Sequence, residues 1–217
     1  MANRDLIGEF VTRTLAELRA HYPRPLSPAE ELALIAGPIR QCRNCDLALT
    51  RTQAVPGEGH PRARIMFIGE APGGTEDETG RPFVGAAGKF LEDMLADIGL
   101  RRHDVFIANI TKCRPPGNRD PEPDEIAACT PWLRAQIAVI QPTVICTLGR
   151  FAMQTLIAPY LQISKAHGAA TERDGILYIP LYHPAAALHQ QRLRDTLIAD
   201  MRTVRDILVA RGLWQSP

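Results

Sequence analysis

A three-layer α/β/α sandwich, with helices on both faces of a central, mainly parallel four-stranded sheet, is the fold this sequence predicts. Two patterns predict it. Short, largely apolar runs recur along the chain, the first closed by Gly69 and the third by Gly149, as strands buried on both faces are. Between them stand longer stretches with apolar residues at helical spacing, and this alternation argues a parallel sheet covered on both sides. A third observation bears on function. Glu70, Asn109 and His183 each follow one of the apolar runs, and in sheets of this kind ligands sit beyond the carboxyl ends of the strands.

Taken in order, Leu6, Phe10, Val11, Leu15 and Leu18 repeat at a helical period, and Tyr22-Pro23-Arg24-Pro25-Leu26 ends that helix because proline opposes its continuation. Residues 1–26 are therefore expected to be a helical extension, packed on the main domain or offered to a partner, and residues 27–217 the domain itself. Ser27-Pro28-Ala29-Glu30 reads as an N-cap, a first-turn proline and a capping-box glutamate, opening a helix to about Ile39. Ile65–Ile68 is the first strand, Phe83–Ile98 a helix, and Val105–Ala108 the second strand. Pro123–Ile140 is a helix, Thr143–Leu148 the third strand and Arg150–Ile157 a helix. Ile176–Leu181 is the fourth strand and Leu193–Arg211 the closing helix.

The 217 residues suit one large domain, and 45% hydrophobic residues supply a core, which excludes general disorder. A net charge of +1 neither requires nor forbids nucleic acid, since a basic footprint can be confined to one face. No apolar run reaches the ~20 residues that span a bilayer. No secretory leader pattern opens the chain, so a cytoplasmic protein without membrane contact is expected. Five cysteines in a reducing compartment are read as ligands, nucleophiles or buried hydrophobes rather than disulfides.

Cys42 and Cys45 form a CxxC pair after the second helix, Cys113 follows the second strand, and Cys129 lies on the helix beyond a proline-rich loop. Four thiolates with one close pair fit zinc or an iron–sulfur cluster equally well. Cys146, inside the third strand, reads as packing. A metal here would tie the N-terminal segment to the loop after Asn109, shaping a site without entering a reaction.

The loop Gly69-Glu70-Ala71-Pro72-Gly73-Gly74 has neither the dinucleotide fingerprint nor the Walker pattern. With Glu76-Asp77 and Gly80-Arg81-Pro82-Phe83-Val84-Gly85, it resembles the first motif of the family-four, iron–sulfur uracil-DNA glycosylases. Asn109-Ile110-Thr111-Lys112-Cys113-Arg114-Pro115-Pro116 with Asn118-Arg119 resembles their second block, and His183-Pro184-Ala185-Ala186 their closing motif. The four cysteines match their cluster ligands in order, and the resemblance runs from about Cys42 to Arg205.

This resemblance implies a monofunctional glycosylase that flips uracil out of single- or double-stranded DNA and hydrolyses its glycosidic bond, with a [4Fe–4S] cluster on Cys42, Cys45, Cys113 and Cys129. It also implies base contacts from Gly69, Ala71, Glu76, Phe83, Asn109 and His183. Phe83 would stack on the flipped base. The Asn109 carboxamide would pair with N3–H and O4, and cytosine reverses that pattern. His183 would donate to O2 as charge builds on the departing base. Glu76 would crowd the C5 position, where thymine carries its methyl group. In the best-known uracil-DNA glycosylases an aspartate follows the residue matching Glu70. Ala71 stands there in this chain, so Glu70 is assigned a catalytic role in its stead.

In the loop Ala185–His189, Leu188 is the candidate wedge for the gap a flipped base leaves. Arg81, Lys112, Arg114, Arg119 and Arg192 are candidate phosphate contacts. A monomer is expected, with the N-terminal extension available to a repair-protein partner.

Three other readings compete. Relatives that bond covalently to DNA carry an inserted Lys-Arg-Arg-Ile-His stretch and a histidine cluster ligand, whereas this chain has Cys113 at that place and a Pro115–Asp120 loop without histidine. A metal-stabilised nucleic-acid-binding module would not need a base pocket. A small-molecule α/β enzyme remains compatible with the fold, which does not fix function.

Overall fold

The computed structural model describes residues 2–188 and 190–214; His189 of the candidate wedge loop lies outside them. Four parallel strands form the centre of the sheet: β2 (Ile65–Gly69), β3 (Phe106–Asn109), β4 (Val144–Leu148) and β6 (Ile176–Leu181). These are the four strands the sequence predicts. Two short antiparallel strands, β1 (Glu58–Gly59) and β5 (Thr171–Arg173), extend the sheet to six in the order β1-β3-β2-β4-β6-β5. At two and three residues they carry too little periodicity to be read from sequence.

Each central strand is buried on both faces. Phe67, Ile107, Cys146 and Ile179 pack under helices α5 (Ala86–Asp97) and α10 (Gln191–Ala210). Met66, Ile68, Phe106 and Ile145 pack on the other face with α6 (Pro123–Ile140) and α7 (Arg150–Leu156). Cys146 is fully buried in the first of these clusters, the packing role expected of it. No helix among the described residues is long and apolar enough to cross a membrane.

A further helical layer lies outside α6. Helix α1 (Ala2–Ala20) buries Val11 and Leu15, and α2 (Pro28–Gln41) buries Ile35 and Ile39, against Trp132 on the outer face of α6. The Ser27 capping box is formed: Ser27 Oγ accepts from Glu30 N–H, and Glu30 Oε2 accepts from Ser27 N–H at 2.8 Å. Four short helices complete the chain: α3 (Leu47–Thr50), α4 (Gly74–Thr79), α8 (Ile163–Ala166) and α9 (Pro184–Ala187).

Candidate active site

Site residues converge where the chain leaves β2, β3 and β6. Backbone hydrogen bonds tie the first two exits together, Ile110 N–H donating to Gly69 O at 3.0 Å and Thr111 N–H to Glu70 O at 3.1 Å. Asn109, the last residue of β3, is 1% exposed, and its Oδ1 is buried without a hydrogen-bond partner among the described residues. An orphaned buried acceptor costs roughly 1–3 kcal/mol, so it points to a ligand donor. Gly69 lies beside it. A Cβ built there would sit 2.5 Å from Asn109 Oδ1 and 2.5 Å from Phe83 Cζ, so the amide and the ring approach over a floor that only glycine leaves open.

Phe83 precedes α5 rather than belonging to it; the helix expected from Phe83 begins at Ala86. The residue holds φ +50°, a left-handed conformation rare for a bulky side chain and costing roughly 1–3 kcal/mol. Gly88 is needed one turn later, because a Cβ there would lie 1.9 Å from Phe83 O. Glu76, on α4, holds the same bend. Its Oε1 accepts from the backbone N–H of Val84 (2.9 Å) and Gly85 (2.8 Å), so the carboxylate caps α5 and fixes the segment carrying the ring.

His183 caps the short helix α9, its Nδ1 accepting from Ala185 N–H at 3.1 Å. Its ring centroid lies 5.7 Å from that of Phe83, with 30° between the planes. Burial pushes its pKa down to about 4, against the pull of Glu76. The imidazole is thus neutral at physiological pH, and with Nδ1 accepting, the proton resides on Nε2. Gly149, at φ +89°, supports the ring from behind; a Cβ there would stand 3.0 Å from His183 Cβ.

Glu70 is pushed up to about 7, mainly by burial and secondarily by the negative charge of Asp120, while Arg150 pulls the other way. Asp120 and Arg150 are themselves paired at 2.8 Å.

The cationic residues separate. Lys112 is not a phosphate contact: it is 1% exposed, and its Nζ donates to Asn109 O (3.0 Å) and Gln136 Oε1 (2.7 Å). A fully buried ammonium cannot reach DNA, and sequence alone does not distinguish it from half-buried Arg114 or exposed Arg119. Arg81 is exposed and bonded to Glu58 at 2.8 Å. Arg114 donates to Asn118 Oδ1 at 2.7 Å and lies over Gly74. Arg119 is paired with buried Glu125 at 2.6 Å. Arg192 is exposed in the first turn of α10, and Leu188 is an exposed apolar side chain after α9. Ala71 is half-buried beside Glu70. One residue that sequence reading missed belongs to the site's support: Arg102, which donates to Phe83 O at 2.7 Å.

Behind the site, Cys42, Cys45, Cys113 and Cys129 line one recess with Ile39, Asn44, Arg51 and Trp132. Arg51 Nη1 lies 2.9 Å from Cys113 Sγ, and Lys112 N–H donates to Cys129 Sγ at 3.1 Å. Burial pushes Cys45 up to about 11 and Cys129 up to about 12, so these thiols ionise only when a cation compensates them. Among the described residues no three His, Cys, Asp or Glu side chains are grouped as a single-ion site.

The family model described as the uracil DNA glycosylase superfamily matches residues 56–202. A type-4 uracil-DNA glycosylase of Sulfurisphaera tokodaii is 47% identical, over 83% of this chain and 86% of its own length. One from Archaeoglobus fulgidus is 47% identical over 82% of this chain and 94% of its own. Another from Saccharolobus solfataricus is 48% identical, covering 85% and 89% respectively. With its catalytic-end geometry and its likeness to these proteins running the same length, the chain belongs to the uracil-DNA glycosylase superfamily and, within it, to the type-4 group.

Proposed function

We propose that this protein excises uracil from DNA by hydrolysis, leaving an abasic site; the relatives it matches are named uracil-DNA glycosylases. The observation that carries the reading is the buried, unpartnered Oδ1 of Asn109, facing the Phe83 ring across Gly69. An acceptor so placed takes the N3–H of a uracil stacked on Phe83, and the carboxamide N–H offers itself to O4. His183 Nε2–H donates to O2 as the bond from N1 to C1′ breaks and negative charge passes to the base. Glu70, when ionised, stabilises the cationic sugar and takes the proton of the water that adds to C1′. The ammonium of Lys112 is bonded to Asn109 O and Gln136 Oε1, which favours water over this amine as nucleophile. Leu188 fits a wedge into the duplex, and Arg81, Arg114, Arg119 and Arg192 fit contacts to the phosphates of either single- or double-stranded DNA. Monomeric action is part of the same reading, with α1 the surface for a repair partner.

Cleavage of an oligonucleotide carrying one uracil, followed by alkali, tests this. Breaks at uracil and none at thymine are expected. Glu70 must be ionised, so activity should climb as pH rises through about 7. In Asp120→Asn that limb should move to lower pH, because a charge holding Glu70 protonated is gone. An unmoved limb would remove Glu70 from the reaction. Linkage gives a second sign. The folded pKa of Glu70 lies above its unfolded value of 4.5, so its contribution to stability is present below 4.5 and lost as pH rises through 7. Glu70→Gln should therefore melt higher than wild type at alkaline pH.

The cysteine recess fits an iron–sulfur cluster. Trp132 Nε1–H and Asn44 Nδ2–H are buried there without partners among the described residues, and anionic sulfur would satisfy both donors. Cys42, Cys45, Cys113 and Cys129 would hold a [4Fe–4S] cluster, whose contribution is cross-linking rather than chemistry at the base. Iron and sulfide in equal amounts are expected in the purified protein. Cys129→Ala should lose both and melt several degrees lower, since bound metal adds directly to folding free energy. Stoichiometric zinc would overturn the cluster.

A further inference from the structure

Phe83 is held at φ +50°, yet nothing in its own side chain favours that conformation. The segment is gripped from two sides. Glu76 takes the two N–H groups that follow the ring, Val84 and Gly85. On the other side stands Arg102, from the turn Arg102–Asp104 that leads into β3. Its Nη1 donates to Phe83 O at 2.7 Å and its Nη2 to Pro82 O. The Arg102 side chain is only 15% exposed, and its guanidinium is itself anchored by Glu58 and by Glu92, the latter at 3.1 Å. Burial pushes Glu58 up, but hydrogen bonds from Arg81 and Arg102 outweigh it and hold the carboxyl below its ordinary value.

A planar fork is what this geometry requires. Two consecutive carbonyls and two carboxylates are met at once by one guanidinium, and a lysine ammonium lacks the reach and the fixed directions to do so. In sequence Arg102 stands among Arg101 and His103 and looks like solvated charge.

From these contacts we propose that Arg102 is a positioning residue for the reaction, holding the strained Pro82–Phe83 backbone so that the Phe83 ring is presented to the base. The inference rests on Phe83 being the stacking surface for uracil. Stacking acts on the bound base before and during bond cleavage, so loss of its positioning falls on binding more than on the chemical step.

The test is a double-mutant cycle on the full chain with Arg102→Ala, Phe83→Ala and the pair. KM and kcat are read on a uracil oligonucleotide, together with inhibition by free uracil. Arg102→Ala should raise KM and weaken free-uracil inhibition about tenfold, in the range of a lost base–aromatic stack, with kcat changed far less. The double variant should match Phe83→Ala within about twofold, because both changes remove one interaction. Arg102→Lys and Glu58→Gln should shift the same two readings in the same direction by smaller amounts; they carry the test if Arg102→Ala does not fold. Additive losses, or a fall in kcat at unchanged KM, would overturn the role of Arg102. If Phe83→Ala weakens free-uracil inhibition while the Arg102 variants leave it untouched, the positioning role alone is lost. If Phe83→Ala has no effect, the stacking reading beneath it is lost as well.

Discussion

Replacing His183 by alanine should lower kcat by roughly 10²–10³, the usual cost of removing one donor aimed at developing charge, with little change in KM. The proton sits on Nε2 because Nδ1 already accepts from Ala185 N–H, so the ring presents a neutral donor and needs no protonation to act. With its pKa down at about 4, no histidine titration should appear in the rate at neutral pH, and the limb near 7 belongs to Glu70. Single-turnover rates across the pH range separate the two. If His183→Ala abolished that limb instead of lowering the whole profile, the histidine would be acting as an acid. Stability follows the same shift. The folded pKa lies below the unfolded 6.5, so the contribution of neutral His183 is complete above 6.5 and lost as pH falls through 4. His183→Gln should therefore resist acid better than wild type while turning over slowly.

Asn109→Leu should cost roughly 100-fold in kcat/KM on uracil, two base hydrogen bonds at about 1–1.5 kcal/mol each, without lowering the melting temperature. The second half of this expectation is the sharper one. Asn109 Oδ1 has no partner among the described residues, so its burial opposes folding, and an apolar side chain of similar size relieves that opposition. Activity and stability should move apart. A variant that lost both together would show that the amide serves the fold, and the base-reading role would be withdrawn. Melting curves and steady-state kinetics on the same preparation decide it.

Much of this was legible in the chain. The four central strands were readable because each is a short, largely apolar run buried on both faces, and α6 because Pro123 and the acidic first turn mark its start. The convergence of Glu70, Asn109 and His183 followed from strand ends alone. What was not legible depends on partners distant in sequence. Lys112 reads as a free cation until Gln136 and the Asn109 carbonyl are seen around it. Glu76 reads as a wall for the base, and its hold on the N–H groups of Val84 and Gly85 is visible only in the fold. The left-handed turn at Phe83 has no local signature, since glycine rather than phenylalanine is the ordinary marker of positive φ; Arg102 went unnoticed for the same reason.

The floor at Gly69 has a consequence for how such a protein can change over time. A surface made of main chain has no rotamers to explore and no neighbouring substitution that enlarges or trims it gradually. Any side chain at this position would occupy the space between the amide and the ring, as the 2.5 Å approaches on both sides require. Under the proposed function, shifts in base preference are therefore channelled to the side chains of Asn109 and His183. Mutational paths toward a different base are few and abrupt, and a library varied at those two positions samples more of the accessible specificity than one spread around the rim.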